Sequence, residues 1–352
     1  MIGPIMGPTL GGILTENYDW RWVFYVNLPF GLLAAAGLAV FLPSGTGMNR
    51  LRFDWFGFGM LSIGIGSFQL MLDRGQDLDW FSSREIQIEA GIAAIALYLA
   101  LVHIVLGRQP IVRKEVFRDI NFTAGLVMMF AVGTLLVSSS ALMAPWLQLI
   151  GNYPVQTAGL IMAPRGLGNL VTITISGRLA GKMDERWLVG TGLGLIGLSF
   201  WRMTAWTPDV APAEIVAAIV IQGAGLGFFF TPLQMLSFST LSPSLRTDGA
   251  SLFSLVRNVG AAIGVSVTAA VLTRSTQTMH ETIASSVTPF NRALDTASAL
   301  LSPGTHKGAI LLDKMVTHEA QIVAYANDYT MLIWTTLPIA VLLLLMRVPS
   351  RR

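Results

Sequence analysis

The chain has 352 residues, of which 53% are hydrophobic and 12% charged, with 35 glycines, no cysteine and a formal net charge of +3. So apolar and glycine-rich a composition excludes an ordinary soluble domain and predicts an integral membrane protein. The absent thiols exclude disulfides and thiolate metal sites, and the small basic excess does not call for a nucleic-acid partner. The chain opens on MIGPIMGPTLGG, a run that reads as the back half of a membrane helix. At ~1.5 Å per residue its apolar stretch reaches only ~21 Å, short of a ~30 Å hydrocarbon core. Neither a basic segment nor a small-residue cleavage site precedes Thr15, Glu16 and Asn17, so a secretory signal is not the reading. Runs long enough to span follow at 22–42, 55–73, 86–106, 121–143, 155–177, 188–206, 213–235, 249–272 and 325–346, giving nine full spans after the stub. Short turns such as Pro43-Ser44-Gly45 and Trp206-Thr207-Pro208-Asp209 separate them.

Lysine and arginine are unevenly shared between alternate short loops. One set, from Arg50 and Arg52 through Arg113, Arg178 and Arg246 to Arg352, holds 13, and the opposite set holds 4. The bias places the C-terminus and the 43–54 loop in the cytoplasm, with the stub running outward. The one long connection, from Ser275 to Asn327, then lies outside. Its second half carries Leu311, Leu312, Met315, Val316, Ile322 and Val323 at three-and-four spacing, which predicts an amphipathic helix running straight into the last span. Such a helix either packs on the outer mouth of its own bundle or offers a docking surface to a periplasmic partner.

Gly3, Gly7, Pro8, Gly11 and Gly12 fit the pattern G-x-x-x-G-P-x-x-G-G. Glycines at this spacing open a groove where another helix can approach to backbone distance, and Pro8 removes one ladder hydrogen bond and bends the helix. Further blocks are Trp20 to Gly31 (WRWVFYVNLPFG), Phe53 to Gly57, Leu72 to Gly75, Ala163 to Gly168 and Leu255 to Gly260. Together, and in this order, they resemble the fourteen-helix EmrB/QacA branch of the drug:proton antiporters in the major facilitator superfamily, the glycine-proline run resembling the antiporter motif of its fifth helix. The resemblance implies an all-helical major facilitator fold present as helices 5 to 14 of 14. Residues 1–50 would be the last two helices of the N-terminal bundle, 51–118 two linking helices, and 119–352 the C-terminal six-helix bundle with a periplasmic insertion at 275–326. It also implies that the glycine-proline run seals the interface between bundles. Export of small amphipathic, often cationic drugs from the bacterial inner membrane would be driven by the proton gradient with no cofactor. A periplasmic adaptor and an outer-membrane channel would be the partners.

Charge at membrane depth costs roughly 2.5–3.5 kcal/mol on insertion scales. Arg165, about ten residues into its span, and Arg257, with Asn258 beside it, are therefore expected to face a polar cavity or to bind carbonyls at helix breaks near Pro164 and Gly260. Gln69, Gln148, Gln222 and Gln234 are candidates for the same cavity. A loop from Gly177 to Arg186 resembles the superfamily's second G-x-L-a-D-r-x-G-r-r signature with Gly181 where an acid is usual. Its Gly177, Arg178, Lys182, Asp184 and Arg186 read as a cytoplasmic latch or a plain solvated loop. All twenty carboxylates are expected in loops or within a turn of a span end, and Asp73 and Asp248 are the least remote candidates for a coupling acid. In the family the first helices supply those acids, so the resemblance implies that coupling fails in this chain taken alone.

The remaining patterns carry no chemistry. Gly192 to Gly197 matches G-x-G-x-x-G inside an apolar helix with no strand before it and reads as a packing face. His103, His280, His306 and His318 lack ligand spacing, so no metal site is expected, and no catalytic cluster stands out. Two other classes remain: a non-transporting truncated remnant, and a membrane-embedded enzyme, which would need an acid, His or Lys cluster at a cavity mouth.

Overall fold

The computed structural model describes residues 2–41, 53–107, 113–287 and 305–346. Of the sequence expectations, those on Arg50, Arg52, Arg108 and the C-terminal arginines, and the boundary at residue 50, fall outside this set. The regular secondary structure of the described residues is helical, apart from one isolated bridge between Ala180 and Met183. In a bilayer each backbone amide and carbonyl needs a partner, and the helix supplies it within the segment. In chain order the helices are α1 (Ile2–Asn17), α2 (Trp22–Tyr25), α3 (Asn27–Phe41), α4 (Trp55–Gly75), α5 (Arg84–Leu106), α6 (Ile120–Pro145), α7 (Val155–Met162), α8 (Pro164–Leu179), α9 (Glu185–Met203), α10 (Pro212–Ser239), α11 (Arg246–Ser286) and α12 (His306–Leu342).

Among the described residues eight segments are long and apolar enough to cross a membrane. The expected span at 188–206 forms as α9 but is not among them, because Arg186, Arg202 and four glycines dilute its apolar run. α11, at 41 residues, is much longer than the expected span at 249–272, while α12, at 37, joins the amphipathic helix to the last span as expected. At ~1.5 Å per residue α11 measures ~62 Å, about twice a hydrocarbon core. Most of the described part of the expected insertion is therefore the two helix ends, joined where Asn327 donates to Ser275 Oγ (3.1 Å) and His280 meets Asp313 (3.1 Å). The expected amphipathic helix forms and continues unbroken into the last span. Leu312, Val316 and Ala320 are buried, while Ile310, Leu311 and Met315 are exposed.

Several sequence blocks have a local physical cause. Asp54 caps α4 by accepting from the Gly57 amide (2.9 Å), and a β-carbon at Gly57 would collide with that same carboxylate. Both Asp54 oxygens also lie 3.0 Å from His103 Nε2, which clasps α4 to α5. At the other end of this pair Arg74 bridges Glu85 (2.5 Å) and Glu89 (3.1 Å), and Gly75 makes room for the Trp80 ring. Leu72 is buried, and its carbonyl accepts from Ser266 Oγ (3.0 Å), fixing α4 on α11. Among the described residues α3 buries none of its side chains.

Helices α6, α7, α9, α10 and α12 share one large core that includes Met128, Leu135, Phe200, Phe229 and Tyr329, with Leu272 of α11 packed against it. Glycines set its crossings. A β-carbon at Gly192 would lie 2.7 Å from the Gly225 carbonyl oxygen, so the first glycine of the G-x-G-x-x-G run meets α10, while Gly194 faces open space and Gly197 lies beside Thr336 of α12. Gly133 faces the Arg257 carbonyl and Gly260 the Phe130 carbonyl, bringing α6 and α11 to backbone contact.

Candidate functional site

The most polar point inside this core is built on Arg165. Pro164 has no amide to donate, and α7 gives way to α8 there, so Arg165 leaves the first turn of α8 toward α6. Its Nη1 donates to Ser140 Oγ (2.5 Å) and Nη2 to the Leu136 carbonyl (3.4 Å), while Nε is buried without a partner. No carboxylate pairs with Arg165 among the described residues. Ser140 belongs to a run, Ser138-Ser139-Ser140, whose first two members are fully buried. From α10, Gln222, 1% exposed, donates Nε2 to Ser139 Oγ (2.7 Å) and leaves its Oε1 unpartnered. α8 and α10 come this close because Gly223 lies directly on the Arg165 carbonyl. Thus α6 presents a hydroxyl ladder that an arginine from one helix and a glutamine from another both reach.

The fourth contributor is α12. Tyr329, 0% exposed, has an unpartnered hydroxyl within electrostatic range of both Arg165 and Asp328. Its ring meets Trp206 (6.0 Å between centroids), which meets Trp146 (4.9 Å), closing the cluster with aromatics at the α9–α10 end. Asp328 itself is 0% exposed, and neither carboxylate oxygen has a hydrogen-bond partner. The sequence placed Asp328 within a turn of a span end and did not show that its side chain is buried there. A span starting at residue 325 made Asp328 an edge residue, whereas α12 starts at His306 and places it in the buried stripe of Ala324, Tyr325, Tyr329 and Leu332. That stripe, at three-and-four spacing, was the available signal. The two acids singled out from sequence are placed otherwise: Asp73 accepts from Gln69 Nε2 (2.8 Å) at the surface, and Asp248 pairs with Arg113 Nε (2.5 Å).

The other candidates separate into distinct places. Arg257 and Asn258 are exposed on α11, and no hydrogen bond joins them to the Arg165 cluster among the described residues. Gln69 lines a groove of about 660 Å³ between α4 and α11, with Phe58, Ile65, Asp248 and Leu255, so it does not share the space of Gln222. Gln148 bonds its own helix at Ala144, and Gln234 is exposed on α10. In the glycine-proline run, Gly3 and Pro8 lie within α1, and Gly7 and Gly11 face open space. Gly12 meets α7, where a β-carbon would stand 3.1 Å from the Val155 carbonyl oxygen. One turn on, Glu16 accepts from the Gln156 amide (3.1 Å) at the start of α7.

In the loop resembling the second signature, Gly177 and Arg178 close α8, and Asp184 caps α9 by accepting from the Arg186 amide (2.9 Å). Gly181 has φ +78°, a left-handed conformation that favours glycine and accounts for its presence where an acid is usual. A cavity of about 340 Å³ opens beside Gly177, Gly181 and Glu185 against Met235 and Leu236 of α10. Lys182 lies in the hydrogen-bonded turn between the helices, its amide donating to the Leu179 carbonyl (2.9 Å).

Helices too long and apolar for water, glycine crossings and an interior cluster of arginine, glutamine, serine and tyrosine define a multi-pass helical membrane protein with a polar core. Residues 1–265 match the Major Facilitator Superfamily, and the chain belongs to that family. It is similar to the multidrug export protein EmrB of Escherichia coli (strain K12), with 34% identity over 293 residues, 83% of this chain and 57% of the relative. It is also similar to the fatty acid resistance protein FarB of Neisseria gonorrhoeae, with 30% identity over 328 residues, covering 92% and 64% of the two chains. The probable multidrug resistance protein EmrY of Escherichia coli (strain K12) shows 29% identity over 304 residues, covering 86% and 59%. The chain thus spans between half and two thirds of the length of these relatives. Its fold is that of a bacterial homolog to the human lysosomal transporter Spinster in an inward-facing and occupied conformation, with a TM-score of 0.51 at 15% identity, covering 84% of this chain and 68% of that one. These similarities bear out the EmrB/QacA-type family, which is one of transporters, and the membrane-enzyme alternative falls with it.

Proposed function

We propose that the protein exports small amphipathic, often cationic compounds across the bacterial inner membrane in exchange for protons, its two bundles rocking about a central cavity. The observation that carries this reading is the polar cluster of half-buried Arg165 and Ser140 with buried Ser139 and Gln222, a costly arrangement that packing alone does not require. The names of the EmrB and FarB relatives support the substrate class. No cofactor is needed when a proton gradient supplies the energy. In this reading α1 belongs to one rocking body and α7 to the other, with Gly12 and Glu16 at their contact. The Gly177–Arg186 loop is a cytoplasmic turn that engages the opposite bundle in one state, and Arg257 with Asn258 presents polar groups to the cavity from α11. The extended α11–α12 hairpin is where a periplasmic adaptor leading to an outer-membrane channel docks. The test is dye flux in proteoliposomes under an imposed pH gradient. The proposal expects flux that stops when an ionophore dissipates the gradient. A second reading, a non-transporting remnant, is favoured by α3, which buries no side chain, and it expects no flux under any gradient.

The C-terminus and the loops carrying Arg113, Arg178 and Arg246 face the cytoplasm in this proposal. The structure joins two of those loops at one end, since Arg113 bonds both Asp248 and the Ser244 carbonyl. Because the chain has no cysteine, single replacements report orientation without background. A membrane-impermeant maleimide added to intact cells should label Asp209→Cys in the α9–α10 turn and leave Ser244→Cys unlabelled until the cells are opened. The reverse pattern would invert the assignment.

A further inference from the structure

Among the described residues Asp328 is the acid that is fully buried with both carboxylate oxygens unpartnered. An ionised carboxylate without a counter-charge is among the most expensive groups to hold in a dry helical bundle, so such a group either carries a proton or meets water in another state. Its surroundings fit proton exchange better than ion pairing. On its own helix, Tyr325 and Tyr329 flank it, and the unpartnered Tyr329 hydroxyl is within electrostatic range of it. From α8 the neighbouring cation is Arg165, already engaged by Ser140 and Leu136. α6, packed on the same helix, has no titratable residue. From α9, Arg186 sits at the far end, and Arg202 is held in a two-bond pair with Glu214, Nε at 2.7 Å and Nη2 at 2.5 Å. From α11, Arg274 lies near the same level, beside the Ser275–Asn327 contact, but is exposed; His280 is taken by Asp313. No cation therefore neutralises Asp328 in this conformation.

A cavity reaches α12 at Tyr325, about one turn before Asp328. This cavity, of about 490 Å³ between α6, α11 and α12, is lined in part by Thr268, Thr273, Gln277 and Gln321, whose polar groups can hold water. We propose that Asp328 is a proton-binding site of the second bundle, its carboxylate taking one proton onto Oδ1 or Oδ2 from water in the Tyr325 cavity and holding it as a neutral carboxyl while the bundle is closed. The Tyr329 hydroxyl reorients between that carboxyl and the Arg165 side. Use of the site in transport rests on the antiport reading above; its existence does not.

The test is infrared difference spectroscopy of the reconstituted protein as the bath is cycled between acid and alkaline pH. The expected result is a carboxylic-acid C=O stretch that comes and goes with bath pH, is absent in Asp328→Asn and is displaced in Tyr329→Phe. Asn has the same shape and no charge, so the variant should elute as the unaltered protein does. Should it misfold, Asp328→Glu should keep a displaced band. Spectra identical in the unaltered protein and the folded Asn variant, or no displacement with Glu, would overturn the proposal. In the same proteoliposomes, Asp328→Asn should lose pH-driven dye flux and keep passive dye equilibration. If the unaltered protein shows no pH-driven flux while its infrared band titrates, antiport fails and the proton site stands.

Discussion

Replacing Gly223 with leucine should abolish the folded second bundle. Gly223 lies on the Arg165 carbonyl at the α8–α10 crossing, where backbone meets backbone and nothing can rotate aside. Overpacking a core normally costs about 1–3 kcal/mol because neighbouring side chains give way. Here a whole helix must move, which also separates Gly227 from the Thr172 hydroxyl and Gly168 from the Val220 carbonyl. The total exceeds the usual range and approaches the roughly 5–15 kcal/mol by which folded domains are stable. Size-exclusion chromatography of detergent extracts should show aggregate or no protein. Gly194→Leu is the matched control, because a β-carbon at Gly194 meets nothing within 4 Å, and its elution should match the unaltered protein. A monodisperse Gly223→Leu peak would show that the crossing is looser than described.

Arg165→Leu should do the opposite, leaving the fold intact and removing export. Losing the guanidinium strands no partner, because Ser140 Oγ also bonds the Leu136 carbonyl of its own helix (3.1 Å). The leucine also relieves the roughly 2.5–3.5 kcal/mol that a charge costs at membrane depth. In the proposed antiporter its role is the positive charge it places beside Ser140 and within electrostatic range of Tyr329. Arg165→Lys should give an intermediate loss, since one ammonium cannot reach both Ser140 and Leu136 with a planar fork. Drug susceptibility of efflux-deficient cells reads the result, with membrane insertion checked in parallel. Unchanged resistance in the leucine variant would remove Arg165 from the transport path.

Hydrophobic runs made the helices legible: seven of the nine expected spans each fall on one helix, and those at 22–42 and 155–177 fall on the pairs α2 with α3 and α7 with α8. The ends were less legible, since aqueous helix such as the last part of α11, with Thr278, His280 and Glu281, is polar and looks like loop when read by hydropathy. The burial of Asp328 was hidden differently, because a hydropathy run starting at residue 325 puts it at a span edge and does not say which helix face packs inward. Arg165 and Gln222 could be picked out because polar groups inside apolar runs are costly wherever they point. Whether such residues meet is not encoded by depth. Arg165 and Gln222 both reach the serine run of α6, whereas Gln69 and Arg257, at similar depth, point elsewhere because helix rotation is set by glycine crossings between distant segments. The loop glycine at 181 was legible as a departure from a signature, and its cause, a positive φ, needed coordinates.

The most direct test of proton-coupled export is the movement of both species at once in proteoliposomes containing a pH-sensitive lumenal dye and a fluorescent cationic drug. The account predicts that adding drug on one side drives protons the opposite way, and that an imposed proton gradient concentrates drug against its own. Drug movement with no proton counterflow, at a rate indifferent to the gradient, would contradict it.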